Sequence, residues 1–153
     1  MATQLYRDNI PKVGGSSPSP RTMRFLTWAE NLGKEECPYL RRWVVNCGLF
    51  SIRLHHWLGS DDQRHLHDHP WAFITIVLRG GYIDRDDTRK DRLLPGSIRV
   101  RSATYKHSVR VRPSGCWSLV LTGPEVREWG FWVKGRFRKR NKYFRLFGHH
   151  PCS

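Results

Sequence analysis

A chain of 153 residues is the size of one domain with a single core, and 39% hydrophobic residues with seven Trp, seven Phe and five Tyr exclude an intrinsically disordered class. Lys and Arg total 27 against 13 Asp and Glu, a formal charge of +14, so the surface concentrates phosphates, nucleic acid or acidic small molecules without selecting among them. No apolar run reaches membrane-spanning length, and the first eight residues lack a basic segment leading into an apolar core. The expectation is a cytoplasmic protein with no membrane association.

In chain order, residues 1–22 contain Gly14-Gly15-Ser16-Ser17-Pro18-Ser19-Pro20, the composition of a flexible arm. From Met23 to Gly33 the apolar positions Met23, Leu26, Trp28 and Leu32 predict one short helix, with Gly33 as its stop. After Pro38 the pattern changes to short β-type runs: Trp43 to Val45, Leu49 to Trp57, Ala72 to Leu78, Tyr82-Ile83, Ile98 to Arg101, Ser108 to Val111, Trp117 to Leu121 and Phe131 to Val133. Pro95-Gly96, Pro113-Ser114-Gly115 and Gly123-Pro124 read as turns between them, and strands so spaced predict an all-β sandwich or barrel over residues 23–135. Residues 136–153 read as a basic C-terminal tail. The four cysteines, Cys37, Cys47, Cys116 and Cys152, show no Cys-x-x-Cys spacing and are expected to be reduced thiols.

The densest chemistry lies in Arg64-His65-Leu66-His67-Asp68-His69-Pro70-Trp71. In an extended segment side chains alternate, so His65, His67 and His69 share a face, and two imidazoles on alternate residues can reach one metal ion. His107 is the natural third ligand from a neighbouring strand. The competing reading is a group of surface histidines in a polar loop, since Asp61, Asp62, Gln63 and Arg64 precede them. Asp68, between the two ligands, points to the opposite face and serves to orient a backbone group or an arginine.

These residues resemble the two motifs of the cupin superfamily, small antiparallel β-barrels of double-stranded β-helix (jelly-roll) type. The first cupin motif reads His-x-His, three or four residues, Glu, six residues, Gly; His67-Asp68-His69 and Gly80 fit it. Phe73 stands where the Glu would be, and Asp61 where the opening Gly would be. In the second motif Gly96 and His107 keep their spacing, while Ser102, Thr104 and Val111 replace the Pro, Gly and Asn. The stretches Pro38-Tyr39-Leu40 and Gly123 to Trp132 are similar to a group of bacterial and phage cupin proteins. The resemblance implies a cupin barrel with one divalent transition metal, Fe, Mn, Ni or Zn, on His67, His69 and His107, with Fe favoured for an oxygenase. His65 is a further candidate ligand. Three neutral ligands without a carboxylate resemble the site of the thiol dioxygenases. Cupins also often form homodimers through their sheets.

Several other residues are candidates. Arg99 and Arg101 share one face of a strand, and with Arg53, Tyr82 and Tyr105 they could hold an anionic substrate, since guanidinium forks bind carboxylates and phosphates bidentately. A barrel interior usually takes the apolar face, which puts Arg99 and Arg101 outside. Arg136, Arg138, Lys139, Arg140 and Lys142, interleaved with Phe137, Tyr143 and Phe144, have the composition of a nucleic-acid contact. There is no P-loop, dinucleotide Gly fingerprint or zinc-finger spacing. The leading expectation is a metal-dependent enzyme on a small anionic molecule, with dioxygenase chemistry ahead of isomerase or lyase chemistry. The alternatives are a non-catalytic binding module with a structural metal and a basic surface, and a metal-free cupin whose histidines act as acid and base, as in the sugar-nucleotide isomerases.

Overall fold

The structure, a computed structural model, describes residues 26–149. The expected flexible arm and the last four residues lie outside the described residues. Ten strands run in the order β1 (Leu26–Lys34), β2 (Cys37–Asn46), β3 (Ser51–Trp57), β4 (Leu66–His67), β5 (Phe73–Arg85), β6 (Lys90–Leu93), β7 (Ile98–Arg101), β8 (Ser108–Thr122), β9 (Gly130–Val133) and β10 (Arg136–Lys139), followed by helix α1 (Arg140–Phe147). Seven strands form one antiparallel sheet, β1-β2-β3-β8-β5-β6 with β7 also on β5, and β10-β9-β4 form a smaller one. The all-β expectation holds.

Three expectations change. The helix over 23–33 is strand β1, paired antiparallel with β2 from Leu26↔Asn46 to Lys34↔Cys37. Leu26, Trp28 and Leu32 fit period two as well as a helical period, and the backbone partner offered by β2 decides between them. Gly33, at φ +114°, follows a register shift in this hairpin and does not cap a helix. The tail over 136–153 instead opens with β10 and α1, and Tyr143 of α1 is fully buried against Phe131 in a 3.8 Å stack. Its aromatic spacing packs inward, which a reading of charge alone misses. Finally, Cys37 is disulfide-bonded, whereas Cys47 and Cys116 are free thiols. Spacing along a chain does not show which sulfurs a fold brings together.

Ala72–Leu78 with Tyr82-Ile83, and Ser108–Val111 with Trp117–Leu121, each run together as one long strand, β5 and β8. The Gly80-Gly81 and Pro113-Ser114-Gly115 segments are not chain reversals. They are where the paired strands bend together around the barrel, with register shifts between Val77 and Arg79 and between Gly80 and Tyr82. Gly80 has φ +77°, and a Cβ there would run into the carbonyl oxygen of Gly115. Next to this bend lies a core cluster of Val77, Tyr82, Leu93, Val109 and Cys116, and a second cluster holds Trp71, Phe73 and Val120.

The register makes the inner face of the large sheet unusually polar. One row runs Val44, Arg53, Val120, Thr75 and Arg99; the next runs Arg42, His55, Ser118 and Val77. Arg99 and Arg101 therefore face the interior, and Ile98 and Val100 face out at 57% and 70% exposure, the reverse of the usual barrel pattern. Among the described residues no helix is long and apolar enough to cross a membrane.

Gly80→Ala is expected to lower unfolding free energy by roughly 1–3 kcal/mol, measured by urea denaturation, because the methyl both strains a positive φ and overpacks the bend.

Candidate metal centre

The site is built on a backbone pair. His67 N–H donates to His107 O, and His107 N–H donates to His67 O, each at 2.8 Å. Residues paired in this way project their side chains to the same side. His69 is two residues further along and is held by its own N–H to Ala103 O at 3.2 Å. Between them Asp68 is fully buried and points the other way. It accepts bonds from Gly130 N and Trp132 Nε1, both at 2.9 Å, and pairs with Arg127 at 2.7 Å. That anchorage ties the ligand strand to β9 and sets which face the histidines use.

One ring nitrogen from each of His67, His69 and His107 can be chosen so that all three lie within 4.8 Å of one another. The Nε2 atoms of His69 and His107 are 2.9 Å apart. Imidazoles bound to one ion through bonds of ~2.1 Å lie about 3.0 to 3.4 Å apart in octahedral or tetrahedral geometry, so the close pair fits as it stands and a pair at the 4.8 Å limit would close by more than an ångström. The donor set is suited to a metal, because burial, reinforced by the neighbouring imidazoles, keeps the rings of His67 and His69 neutral. His67 is lowered to about 3 and His69 falls well below the ordinary value.

Carboxylates stand behind two of the rings. Asp84 Oδ1 is 2.6 Å from His107 Nδ1, while Arg101 at 3.0 Å and Tyr105 at 3.3 Å hold Oδ2. Burial pushes Asp84 upward, but the bonds from His107 and Arg101 outweigh it and leave the carboxyl below its usual range. An ionised Asp84 only accepts, so Nδ1 of His107 donates to it, and Nε2 is the ring nitrogen turned to the site. Asp61 Oδ2 lies 3.6 Å from His67 Nδ1 and is fixed by Val109 N–H and Gln63. Burial raises the Asp61 carboxyl well above its ordinary value in spite of those bonds.

Aromatic rings wall the cluster. Trp71 stacks on His69 at 4.8 Å, Phe73 meets His69 edge-on at 4.8 Å, and Phe131 lies 5.9 Å from His67. Phe73, at the position the resemblance would give to a carboxylate, thus supplies an apolar wall. Trp71 also carries Arg53, whose Cζ sits 4.5 Å from the ring centroid.

The other sequence candidates are placed as follows. His65 stays outside the cluster and bonds through Nδ1 to Tyr143 Oη at 3.0 Å. Strand β4 covers only Leu66 and His67, so strict alternation does not extend back to His65. Arg101 and Tyr105 are spent on Asp84 and act as positioning residues. Tyr82 is buried in the core cluster, away from the histidines. Arg99 bonds through Nη1 to Ile98 O. Asp84 and Asp61 escaped the sequence reading. Asp84 has a signal in hindsight, being the inward polar residue two places after Tyr82; Asp61 falls at the motif position where a Gly was sought.

No family model matches the sequence, and no curated protein matches it. Solved structures do resemble this one. An RmlC-like cupin from Shewanella frigidimarina NCIMB 400 aligns at TM-score 0.51 and 17% identity, covering 64% of this chain and 84% of that one. FeII HppE aligns at 0.54 and 9% identity, covering 71% of this chain and 64% of that one. The chain has the cupin fold. A chain of the Rhodobacter sphaeroides SigE complex with the anti-sigma ChrR aligns at 0.48 and 23% identity over 61% of this chain, which spans 47% of that chain, about half its length. At these identities the likeness to other cupins concerns the fold alone.

Deeper in the cupin lumen His55 is 7% exposed, and neither ring nitrogen has a hydrogen-bond partner among the described residues. Burial, with the charges of Arg42 and Arg53, lowers it to about 3.

Two outcomes follow from this arrangement. Asp84→Asn is expected to weaken metal affinity roughly 10–100-fold in a chelator competition, because the variant loses the charge that fixes His107. Acidification from about pH 7 to about pH 5 is expected to cost roughly 2 kcal/mol of stability through His55, because the unfolded imidazole binds a proton near 6.5 and the folded one does not. Urea melts at the two pH values, compared with His55→Leu, check this; the variant loses that part of the pH dependence.

Proposed function

We propose that this cupin is a metal-dependent enzyme acting on a small anionic molecule, with oxygenation ahead of isomerase or lyase chemistry. The observation that carries the reading is the trio of imidazoles, His67, His69 and His107, gathered in the barrel beside an arginine that has no ion-pair partner among the described residues. A transition ion held by these three residues would supply Lewis acidity and, as iron, redox capacity. Three uncharged ligands leave more positive charge on an ion than a carboxylate-containing set, which favours anionic co-ligands and supports the oxygenase reading over the others. The FeII form of HppE, a fold neighbour, is consistent with iron in such a barrel.

Arg53 is the anchor for the substrate's acid group. Its Nε donates to Ser51 Oγ at 2.9 Å, and Ser51 Oγ is held in turn by Thr122 Oγ1 at 2.6 Å. Arg42, its neighbour in the lumen, is neutralised by Glu30 at 2.6 Å, but among the described residues no carboxylate lies within ion-pair distance of Arg53. Burial and the charge of Arg42 lower Arg53 to about 10, so it remains a cation at neutral pH with its fork free for a carboxylate or phosphate. Arg53 and His69 both lie against Trp71. A small acid held by Arg53 therefore reaches the histidines with its other end, while Trp71, Phe73 and Phe131 keep water from that end. Arg99, on the same inner row, is the second candidate for the acid group.

The binding-module reading has less support. Phe137 packs on Trp132 at 5.6 Å, Phe144 on Phe131 at 5.5 Å, and Tyr143 is buried, so these aromatics of the basic segment are engaged in the fold and do not serve as a base-stacking platform. Arg136, Lys139 and Lys142 are exposed and Arg138 and Arg140 half-buried, a solvated basic surface.

Elemental analysis of anaerobically purified protein is expected to find near-stoichiometric iron, manganese, nickel or zinc, lost in both His67→Ala and His107→Ala. Absence of metal, or its retention in the variants, overturns the reading. With metal established, an oxygen electrode and a panel of small thiols and carboxylic acids separate oxygenation from isomerisation, which consumes no oxygen. Arg53→Gln is expected to raise KM for the turned-over acid at least about tenfold while changing kcat less.

A further inference from the structure

His55, on β3, faces the lumen with both ring nitrogens unpartnered among the described residues. Strand alternation puts it on the same inner face as Arg53, two residues away and ~6.7 Å along the strand. Its cross-strand neighbours are Arg42 on β2 and Ser118 on β8, with Val77 of β5 beyond Ser118. None of them answers the ring. Arg42 is held by Glu30 at 2.6 Å, Ser118 Oγ accepts from Trp57 Nε1 at 3.3 Å, and Val77 has no polar side-chain atom. Trp57 itself meets the imidazole in a T-shaped contact, with the centroids 5.9 Å apart.

Four buried side-chain atoms lack a hydrogen-bond partner among the described residues, and two of them belong to this one ring. A buried polar group left in that state costs stability, whereas an apolar side chain at the same place would not. The ring also lies beside the candidate metal centre, since a charge on either Arg53 or His55 disfavours protonation of His69 and the three are thus gathered around one space. His55 does not join the ligand set, because the ring nitrogens that converge are those of His67, His69 and His107. Burial, with the cations Arg42 and Arg53, keeps the ring neutral, so it presents one N–H donor and one bare nitrogen acceptor.

We infer that His55 selects the substrate, and that the small acid anchored on Arg53 carries a hydroxyl group that bonds to this ring. The inference rests on Arg53 as the acid anchor of the proposed function. A hydroxyl both donates and accepts, as a neutral imidazole does, so it can pair with either nitrogen in either tautomer. Charge excludes the other polar groups. An ammonium at this place would be repelled by Arg42 and Arg53, and a second carboxylate would find Arg42 already paired with Glu30. A plain hydrocarbon would leave both nitrogens of His55 dry and unpaired, the condition under which a polar site rejects an analogue that lacks one hydroxyl. The substrate class is therefore a small hydroxy acid: Arg53 sets its charge, and His55 sets what stands beside that charge.

Isothermal titration calorimetry of the full chain as purified, at about pH 7, tests this with three pairs of acids: lactate and propionate, malate and succinate, 3-hydroxybutyrate and butyrate. In at least one pair the hydroxy acid is expected to bind at least about tenfold tighter than its partner, and the pair that shows it gives the position of the hydroxyl. His55→Leu is expected to bring that pair within about twofold while still binding both acids. His55→Gln, which keeps a donor and an acceptor, is expected to retain part of the preference, and Arg53→Gln to weaken both acids alike. Equal binding within every pair overturns the inference. So does a hydroxyl preference that survives in His55→Leu, since an ordered water would then satisfy the ring and the preference would arise elsewhere. Acid binding that ignores Arg53→Gln, or no acid binding at all, removes the anchor and the inference with it. A His55-dependent preference in protein that elemental analysis finds free of metal leaves the inference standing and overturns the metal-dependent reading alone.

Discussion

Two backbone hydrogen bonds between His67 and His107 hold the centre of this molecule together. They join a two-residue strand to the segment just before β8, residues about forty positions apart in the chain, and they make both imidazoles project to the same side. Asp68 secures the other side of the same strand to β9 through Gly130, Trp132 and Arg127. A carboxylate this deeply buried is tolerable only because its oxygens are occupied by an ion pair and two N–H donors. Alternation then leaves His67 and His69 facing the lumen. Asp68 thus reinforces with its side chain the backbone pairing of β4 with β9, and so helps to hold the rings at a common focus.

Around this focus the charges are arranged in layers. The rings of His67 and His69 are kept neutral by burial, which suits them to a metal. The negative charge a cupin might have placed directly in the ligand set is displaced outward to Asp84, and Phe73 occupies the inner position. Asp84 is in turn held by Arg101, whose guanidinium lies 4.3 Å from the Tyr105 ring, so the chain from Arg101 through Asp84 to His107 fixes both tautomer and orientation. Arg53 stands apart from that chain. Its guanidinium is oriented by Ser51 and Trp71 and has no ion-pair partner among the described residues.

The same inversion links the interior to the exterior. A lumen lined by Arg42, Arg53, His55, Thr75, Ser118 and Arg99 offers polar contacts to a bound molecule but little dry core, and the apolar clusters among the described residues are small. Strand alternation gives each residue only one of two faces. Polar residues inward therefore require apolar residues outward, and the outward rows accumulate into a surface that needs covering. A polar interior and an apolar exterior are two sides of one register.

Much of the centre was legible in the sequence, because His67 and His69 alternate as any extended chain requires, while the resemblance to the cupin motifs pointed to Gly80 and His107. The β texture after Pro38 was legible for the same reason, as alternation and turn residues act locally. What the sequence did not decide were matters of partnership. Leu26, Trp28 and Leu32 suit a helix or a strand until β2 supplies hydrogen bonds, and Gly80 and Pro113-Ser114-Gly115 suit turns until two long strands bend together. Arg99 and Arg101 carry no label for inside or outside, and only Asp84 and Asp91 turned Arg101 inward. His65, Asp61 and Asp84 received their places from contacts far away in the chain. Local periodicity determines which residues share a face; tertiary pairing alone determines what that face meets, because burial and hydrogen bonding are properties of neighbours that a sequence does not place.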